Sequence, residues 1–426
     1  MLYSPIPETL KPLYFIVDYL KGKKVTDKTA YIVGTFDTKE GELLFVRDLI
    51  KNQGLNPVTV DIGTSAKNLK NQADIKTIEV AAMHPDGIDA VFTGDRGSSV
   101  AAMALAFKKF LSTKHDLCGV IGIGGSGGTA LISPAFQNLP IGIPKVIVST
   151  MASGNIAPYV GTTDICMIYS ITDISGLNPI LEQVLSNASH ALCGMMKDYY
   201  KPEQSSKPVI GMTMFGVTTI CVENIKSQLG ADNQCLVFHA TGTGGRTLEK
   251  LVEDGLLKGV IDVTTTEIAD HLMGGILSAD EGRLDVFINN RIPYIGSCGA
   301  IDMVNFGAPS TIPDKYKNRL LYEHNPHVTL MRTTKGENEK MGRWIGNKLN
   351  QFKSKSRFLI PLNGFSALDK KGQAFYDPDA DQAFVRALEE TVSNSNISII
   401  KIPNHINDKK FSTALVEHYN ELNKEL

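Results

Sequence analysis

Short apolar runs of strand length alternate with amphipathic stretches of helical length along this chain, and the series starts over midway. KTAYIVGTF reads as a strand, EGELLFVRDLIKNQG as a helix closed by Gly54, and NPVTVDIG as a second strand. The series continues through DAVFTG, the helical SSVAAMALAFKKFL, CGVIGIG, a glycine loop, TALISPAF and PKVIVST. Strand, helix and strand in that rhythm predict parallel sheet, because each crossover returns the chain to the same end.

The rhythm breaks once. Helical NPILEQVLSNASHALCGMMKDYY runs into KPEQSSKP, polar and bounded by proline, and the alternation restarts with VIGMTMFGVTTICVENIKSQLG. In the first half Phe36 and Gly63 bracket a helix and a strand; in the second half Phe215 and Gly242 do the same, and both spacings are 27 residues. The expected fold class is α/β, with two Rossmann-like doubly wound parallel-sheet domains at 29–200 and 209–426 and a linker at 201–208. Residues 1–28 read as an N-terminal extension, in which Leu10, Leu13, Ile16 or Val17, and Leu20 recur at the spacing of a docking helix. The last helix of the chain is a candidate to pack across the domains.

Charge narrows the function classes. The 43 basic and 45 acidic side chains leave a net charge of −2, which argues against a chain built to grip nucleic acid or an anionic membrane. The uncharged stretch Leu117–Pro144 is 28 residues long, but GGSGG and two prolines interrupt it, so it predicts buried sheet and turns and not a membrane span. The apolar run from Leu13 to Val17 is too short for an export signal. Six scattered cysteines without a C-x-x-C pair suit reduced thiols in the cytoplasm.

Ligands of open parallel sheets bind beyond the carboxyl ends of the strands, and the glycines of this chain gather there. The first such loop holds Thr35, Phe36, Asp37, Thr38, Lys39 and Glu40. Asp37 and Glu40 have capping-box spacing, whereas Lys39 opposes the helix dipole unless an anion is held there. The second loop holds Gly125, Ser126, Gly127, Gly128 and Thr129, whose amides at a helix start suit a phosphate chain. No lysine precedes Thr129, so it is not a Walker A loop, and tight packing of strand on helix explains the glycines equally well. The third runs from Thr93 to Ser98, with Gly94, with Arg96 as a phosphate partner and with Asp95 as a magnesium contact. Asp61 stands where an acidic group often holds ribose hydroxyls. A micromolar ligand needs about 8 kcal/mol. Two helix ends supply roughly 1 kcal/mol each, so base burial, Lys39 or Arg96, and Mg2+ must carry the rest.

The second half offers His239, Arg246 and Glu267 at predicted strand ends. His239 has a structural explanation as a core histidine and Glu267 as a helix-start carboxylate, but as a cluster, with His239 as acid/base and Arg246 clamping the anion, they fit an enzyme acting on a small carboxylate or sugar-acid metabolite in an interdomain cleft. Leu362–Ala380, with Ser366 and Asp369, has the length of a lid.

GTFDTKE, GGSGGT, LPIGIPKVIVSTMASGNIAPYVG, DISGLNPIL, FHATGTGGRTLE, IDVTTTEIAD, DMVNFGAPSTIP, HNPHVTLMRTT and NGFSALDKKGQAFYDP run from about Thr29 to Asn404. Together they resemble the Tm-one-like ATP-binding domain family, named after a tomato-mosaic-virus resistance protein. The resemblance implies ATP bound with Mg2+ in a Rossmann-like N-terminal half, and a homodimer or higher homo-oligomer. On that reading Thr35 to Lys39 and Gly125 to Thr129 contact phosphates and Asp61 the ribose. Plant members continue into a barrel similar to phosphoenolpyruvate hydrolases, so antiviral activity is not expected to carry over.

Overall fold

In the computed structural model, which describes residues 28–65, 70–198 and 207–426, the alternation becomes two all-parallel sheets. The chain divides into two units, Met1–Pro202 and Glu203–Leu426. The expected docking helix in 1–28, apart from Lys28, and most of the expected linker lie outside the described residues.

The first unit holds β1 (Thr29–Gly34), β2 (Asn56–Asp61), β3 (Leu117–Gly124), β4 (Lys145–Ser149) and β5 (Cys166–Tyr169), in the order β2-β1-β3-β4-β5. Central strands of such a sheet are covered on both faces and read as continuous apolar runs. Accordingly β1, β3 and β4 are buried along their whole length, whereas β5, at the edge, is largely accessible. Helices Phe36–Asn52 and Pro179–Lys197 cover one face with Leu43, Val46, Ile50, Leu181, Leu185 and Leu192. Helices Arg96–Ser112 and Ser126–Gln137 cover the other with Met103, Phe107, Leu131, Ile132 and Phe136. The helices that follow β1 and β3 therefore leave toward opposite faces, and their N-termini flank the switch in strand order, the place where open parallel sheets offer a crevice.

The second unit repeats the plan. Its strands are β6 (Val209–Met214), β7 (Gln234–His239), β8 (Gly259–Thr264), β9 (Tyr294–Gly299), an antiparallel insertion of β10 (Met303–Phe306), β11 (Leu321–Asn325) and β12 (Val328–Arg332), then β13 (Ser356–Pro361) and β14 (Ile397–Ile402). The large sheet runs β7-β6-β8-β9-β13-β14, so both units begin with the second strand, then the first, then the third, and the second unit adds a sixth strand at its far edge.

One element differs from expectation. DAVFTG forms no strand: Ile88–Ala90 is a short 3-10 turn, and Val91 is a buried plug. With only Val91 and Phe92 as bulky apolar residues, the segment anchors by insertion and has no second face to pair. Helix Lys409–Glu425 lays Phe411, Leu415 and Tyr419 against Ile210, Ile261 and Leu359 of the second unit. No helix among the described residues is long and apolar enough to cross a membrane, and none of the cysteines is in a disulfide.

Candidate functional site

At the carboxyl end of β3 the glycine run divides into two kinds. A Cβ on Gly122 would meet Ile132 Cγ2 at 2.7 Å, and one on Gly124 would meet the backbone of Gly128 and Thr129 at 2.8 Å. These two are required by close helix–strand packing. By contrast, a Cβ on Gly125 or Gly128 finds nothing nearer than 3.9 or 3.7 Å, and none of Gly125, Gly127 and Gly128 has a positive φ. Nothing inside the protein demands glycine there. Gly125 caps helix Ser126–Gln137 without a side-chain cap, and the amides of Ser126, Gly127 and Gly128 have no acceptor among the described residues. These are the unpaired amides every helix start presents, here on an exposed serine and two half-buried glycines.

Arg96 joins this loop. A Cβ on Gly127 would lie 3.4 Å from Arg96 Nη2, so the Thr93–Ser98 and Gly125–Thr129 loops, distant in sequence, meet in space. The Arg96 guanidinium is exposed and has no carboxylate partner among the described residues. Asp95 caps helix Arg96–Ser112, accepting from the Ser98 amide at 2.8 Å and its hydroxyl at 2.9 Å, and those hydrogen bonds lower its pKa. Gly94 sits at φ 83°, as the turn before that cap requires.

The rest of the expected phosphate set is less available. Thr129 is fully buried: its hydroxyl bonds Ser149 Oγ at 2.6 Å and the Gly125 carbonyl at 2.8 Å, so it fastens the helix to β4 and does not face a ligand. Phe36 is a core residue. Thr35 caps helix Phe36–Asn52 and its hydroxyl pairs with that of Thr38 at 2.9 Å. The Asp37–Glu40 capping box does not form, because the helix begins at Phe36 and Glu40 instead accepts from the Gln72 amide at 2.7 Å. Lys39 also has an internal partner, the Ile174 carbonyl at 2.5 Å. Asp37 is exposed and has no hydrogen-bond partner among the described residues.

Asp61 corrects the ribose expectation. Only 2% exposed, it accepts from the Phe36 amide at 3.1 Å, the Gly63 amide at 2.8 Å and Asn71 Nδ2 at 2.6 Å. Desolvation raises its pKa while those donors oppose the rise. It is a tie between two post-strand loops, turned inward.

In the second unit the glycines that follow β7, the counterpart of β2, are held by close packing. A Cβ on Gly242 would strike the Ser278 carbonyl, one on Gly244 the His239 carbonyl, and one on Gly245 Glu267 Oε1. Glu267, fully buried, holds Arg283 Nε at 2.6 Å with one oxygen and the Gly242 amide at 2.8 Å with the other. Arg283 also pairs with Asp262 at 2.7 Å and Glu249 at 2.6 Å, a buried hub that no spacing in the sequence announced. The helix after β6 is capped by Asn407, which accepts from the Cys221 amide and donates to the Val217 carbonyl. Nor is Leu362–Ala380 a lid: Phe365, Ser366, Asp369 and Phe375 are all fully buried. His239 stacks edge-on against Phe215 at 5.2 Å, and although its outline is exposed, desolvation of the ring lowers its pKa. Arg246 is exposed and reaches toward Asp280 at 3.9 Å. Of the three expected catalytic groups, Glu267 has both oxygens engaged by Arg283 and the Gly242 amide, whereas His239 and Arg246 are exposed.

Thr150, 3.9 Å from a Cβ on Gly125, was missed in the sequence; it follows β4 directly, which is the signal that places it at the rim.

A doubly wound unit with a glycine-lined helix start after β3, followed by a second of like plan whose helix after β6 is capped by its own chain, defines a two-unit Rossmann-like α/β protein. The chain belongs to the uncharacterised protein family UPF0261, whose N-terminal domain matches residues 28–201 and whose C-terminal domain matches 207–423. A UPF0261 protein of Rhizobium meliloti is 51% identical over 93% of this chain and 99% of its own length. The ToMV resistance protein Tm-1(GCR237) of Solanum lycopersicum is 42% identical over 92% of this chain, which spans 55% of that longer protein. A C2-type ketoreductase from a modular polyketide synthase superposes with a TM-score of 0.22 at 12% identity over 87% of this chain and 80% of its own, too little to bear on fold or function.

Proposed function

We propose that the first unit binds a nucleotide polyphosphate, Mg-ATP, at the crevice between β1 and β3. One observation supports this above the rest: Gly125, Gly127 and Gly128 leave room for a Cβ that the fold does not use, over amides without an acceptor. Glycine retained where packing and φ do not require it fits a ligand that approaches the backbone closely. Arg96 beside Gly127 supplies a charge-assisted partner, stronger than neutral amides alone. Thr35 and Thr38 line the opposite helix start.

The residues also fit magnesium arriving with the nucleotide. Mg2+ keeps most of its waters and takes one or two carboxylates plus phosphate oxygens, so no closed cage is needed. No cluster of three ligating side chains exists among the described residues, while Asp95, kept ionised, and the unpartnered Asp37 are the carboxylates that would hold it. The ion would neutralise phosphate charge. Assembly as a cytoplasmic homodimer is part of the same reading.

Titration calorimetry with ATP and Mg2+ tests the proposal. Saturable heat is expected, lost or at least tenfold weaker in Gly127→Asp, which places a carboxylate beside Arg96. Absence of heat in the unaltered protein overturns it.

A further inference from the structure

The loop after β5 carries an arrangement that internal packing does not explain. Ile171 has φ 64°, and the Thr172 amide donates to the Ser170 carbonyl at 2.7 Å around it, a tight γ-turn of the rare positive-φ kind. A β-branched residue there is a true outlier. Burial offers no compensation, because Ile171 is 55% exposed. Tyr169, just before it, is also exposed.

The turn is held from several sides. Lys39 Nζ bonds the Ile174 carbonyl, Glu42 Oε1 accepts from the Gly176 amide at 2.7 Å, and Ser170 Oγ bonds the Thr172 carbonyl at 2.7 Å. Strain persists only where surroundings over-determine it. Two of these anchors project from the helix that follows β1, which flanks the crevice. Lys39, read in the sequence as an anion contact, is thus a positioning residue for this loop.

Register puts the turn within reach of the glycine cradle. Gly124 pairs with Ser149 and Ser149 with Tyr169, one row across the carboxyl ends of β3, β4 and β5. Neighbouring strands stand about 4.8 Å apart, so Tyr169 lies roughly two strand spacings from Gly124, comparable with the reach from the phosphates to the base of an extended nucleotide.

We infer that Tyr169 and Ile171 form the shelf that receives the flat base of the nucleotide whose phosphates occupy the Gly125–Gly128 amides. This rests on the phosphate reading above and adds where the ring goes and why the turn is strained. An apolar side chain and an aromatic ring offered to solvent at a fixed height are what base stacking needs.

The test compares ATP with inorganic tripolyphosphate, both with Mg2+, by calorimetry on the whole chain in unaltered, Gly127→Asp and Ile171→Gly forms. Glycine relieves the positive φ, so Ile171→Gly should stay folded and melt no lower than the unaltered protein. The expected result is about tenfold weaker ATP binding with tripolyphosphate unchanged, whereas Gly127→Asp weakens both. If Ile171→Gly binds ATP as the unaltered protein does while Gly127→Asp loses it, the shelf is wrong and the cradle stands. Equal loss of both ligands in Ile171→Gly also overturns the shelf, since the residue would then act on the phosphates. If the unaltered protein binds neither ligand, the cradle fails, and the shelf with it.

Discussion

Glycines that look alike in the run Gly122–Gly128 are held by different forces, and substitution separates them. Gly124→Ala drives a methyl into the backbone of the next helix, which cannot yield as a side chain would. A loss of about 1–3 kcal/mol in stability is expected in urea unfolding. Gly128→Ala meets no such obstacle, and a helix prefers alanine, so its unfolding midpoint should hold or rise slightly. Mg-ATP binding should nevertheless weaken, because the methyl enters the cradle. A fall in stability for Gly128→Ala, with binding intact, would reverse the assignment. The sequence displayed the whole run and its place after a strand, but not this division, which depends on where Ile132 and the Thr129 backbone come to lie. The inward turn of Asp61 was hidden for the same reason: its donors come from three separate stretches of chain.

Segment Leu362–Ala380 shows the same limit for an element. Its length and glycines suggested mobility, yet it is knotted in place. Ser366 Oγ donates to Asp302 Oδ2 at 2.7 Å, the Phe365 amide donates to Asp369, and Arg332 pairs with Asp381 at 2.7 Å and with Asp369 at 3.6 Å. Asp302 Oδ1 is buried and has no hydrogen-bond partner among the described residues. Desolvation, then the charge of Asp369, pushes Asp302 up to about 7 and Asp381 up to about 9, against the pull of Arg332. Burial opposes the charge of Arg332, but the carboxylates Asp302, Asp381 and Asp369 around it raise its pKa. Carboxyls raised in this way bind more protons folded than unfolded. Their contribution is complete below the ordinary aspartate value and is lost as pH rises through about 7 and then about 9. Urea midpoints of the second unit should therefore fall between pH 6 and 9, and Asp302→Asn should flatten the lower part of that slope. A midpoint that climbs over this range would contradict the sign. Periodicity made the long helices legible; the caps and knots were not, because Glu40 found Gln72 and Lys39 found Ile174, partners supplied by the fold.

Across the whole chain, the equal 27-residue spacings correctly announced two units of one plan. What they could not announce is that the second unit spends its own residues on its crevice: Asn407 caps the helix after β6, and Ala367 bonds Val217 beside it. Binding should consequently be felt unequally. At a hundred times its dissociation constant, a ligand stabilises what it binds by about 2.7 kcal/mol. Hydrogen exchange with Mg-ATP should slow in the first unit and stay the same in the second. Protection confined to the second unit would move the site there.

The strand order has a consequence during synthesis. In each unit the opening strand ends up in the interior of its sheet: Thr29–Gly34 lies between Asn56–Asp61 and Leu117–Gly124. On a ribosome making roughly 5–20 residues per second, one flank of that apolar ribbon waits several seconds for its second neighbour. The nascent chain thus carries a sticky, half-finished edge through its early life, the interval in which a holding chaperone would matter most.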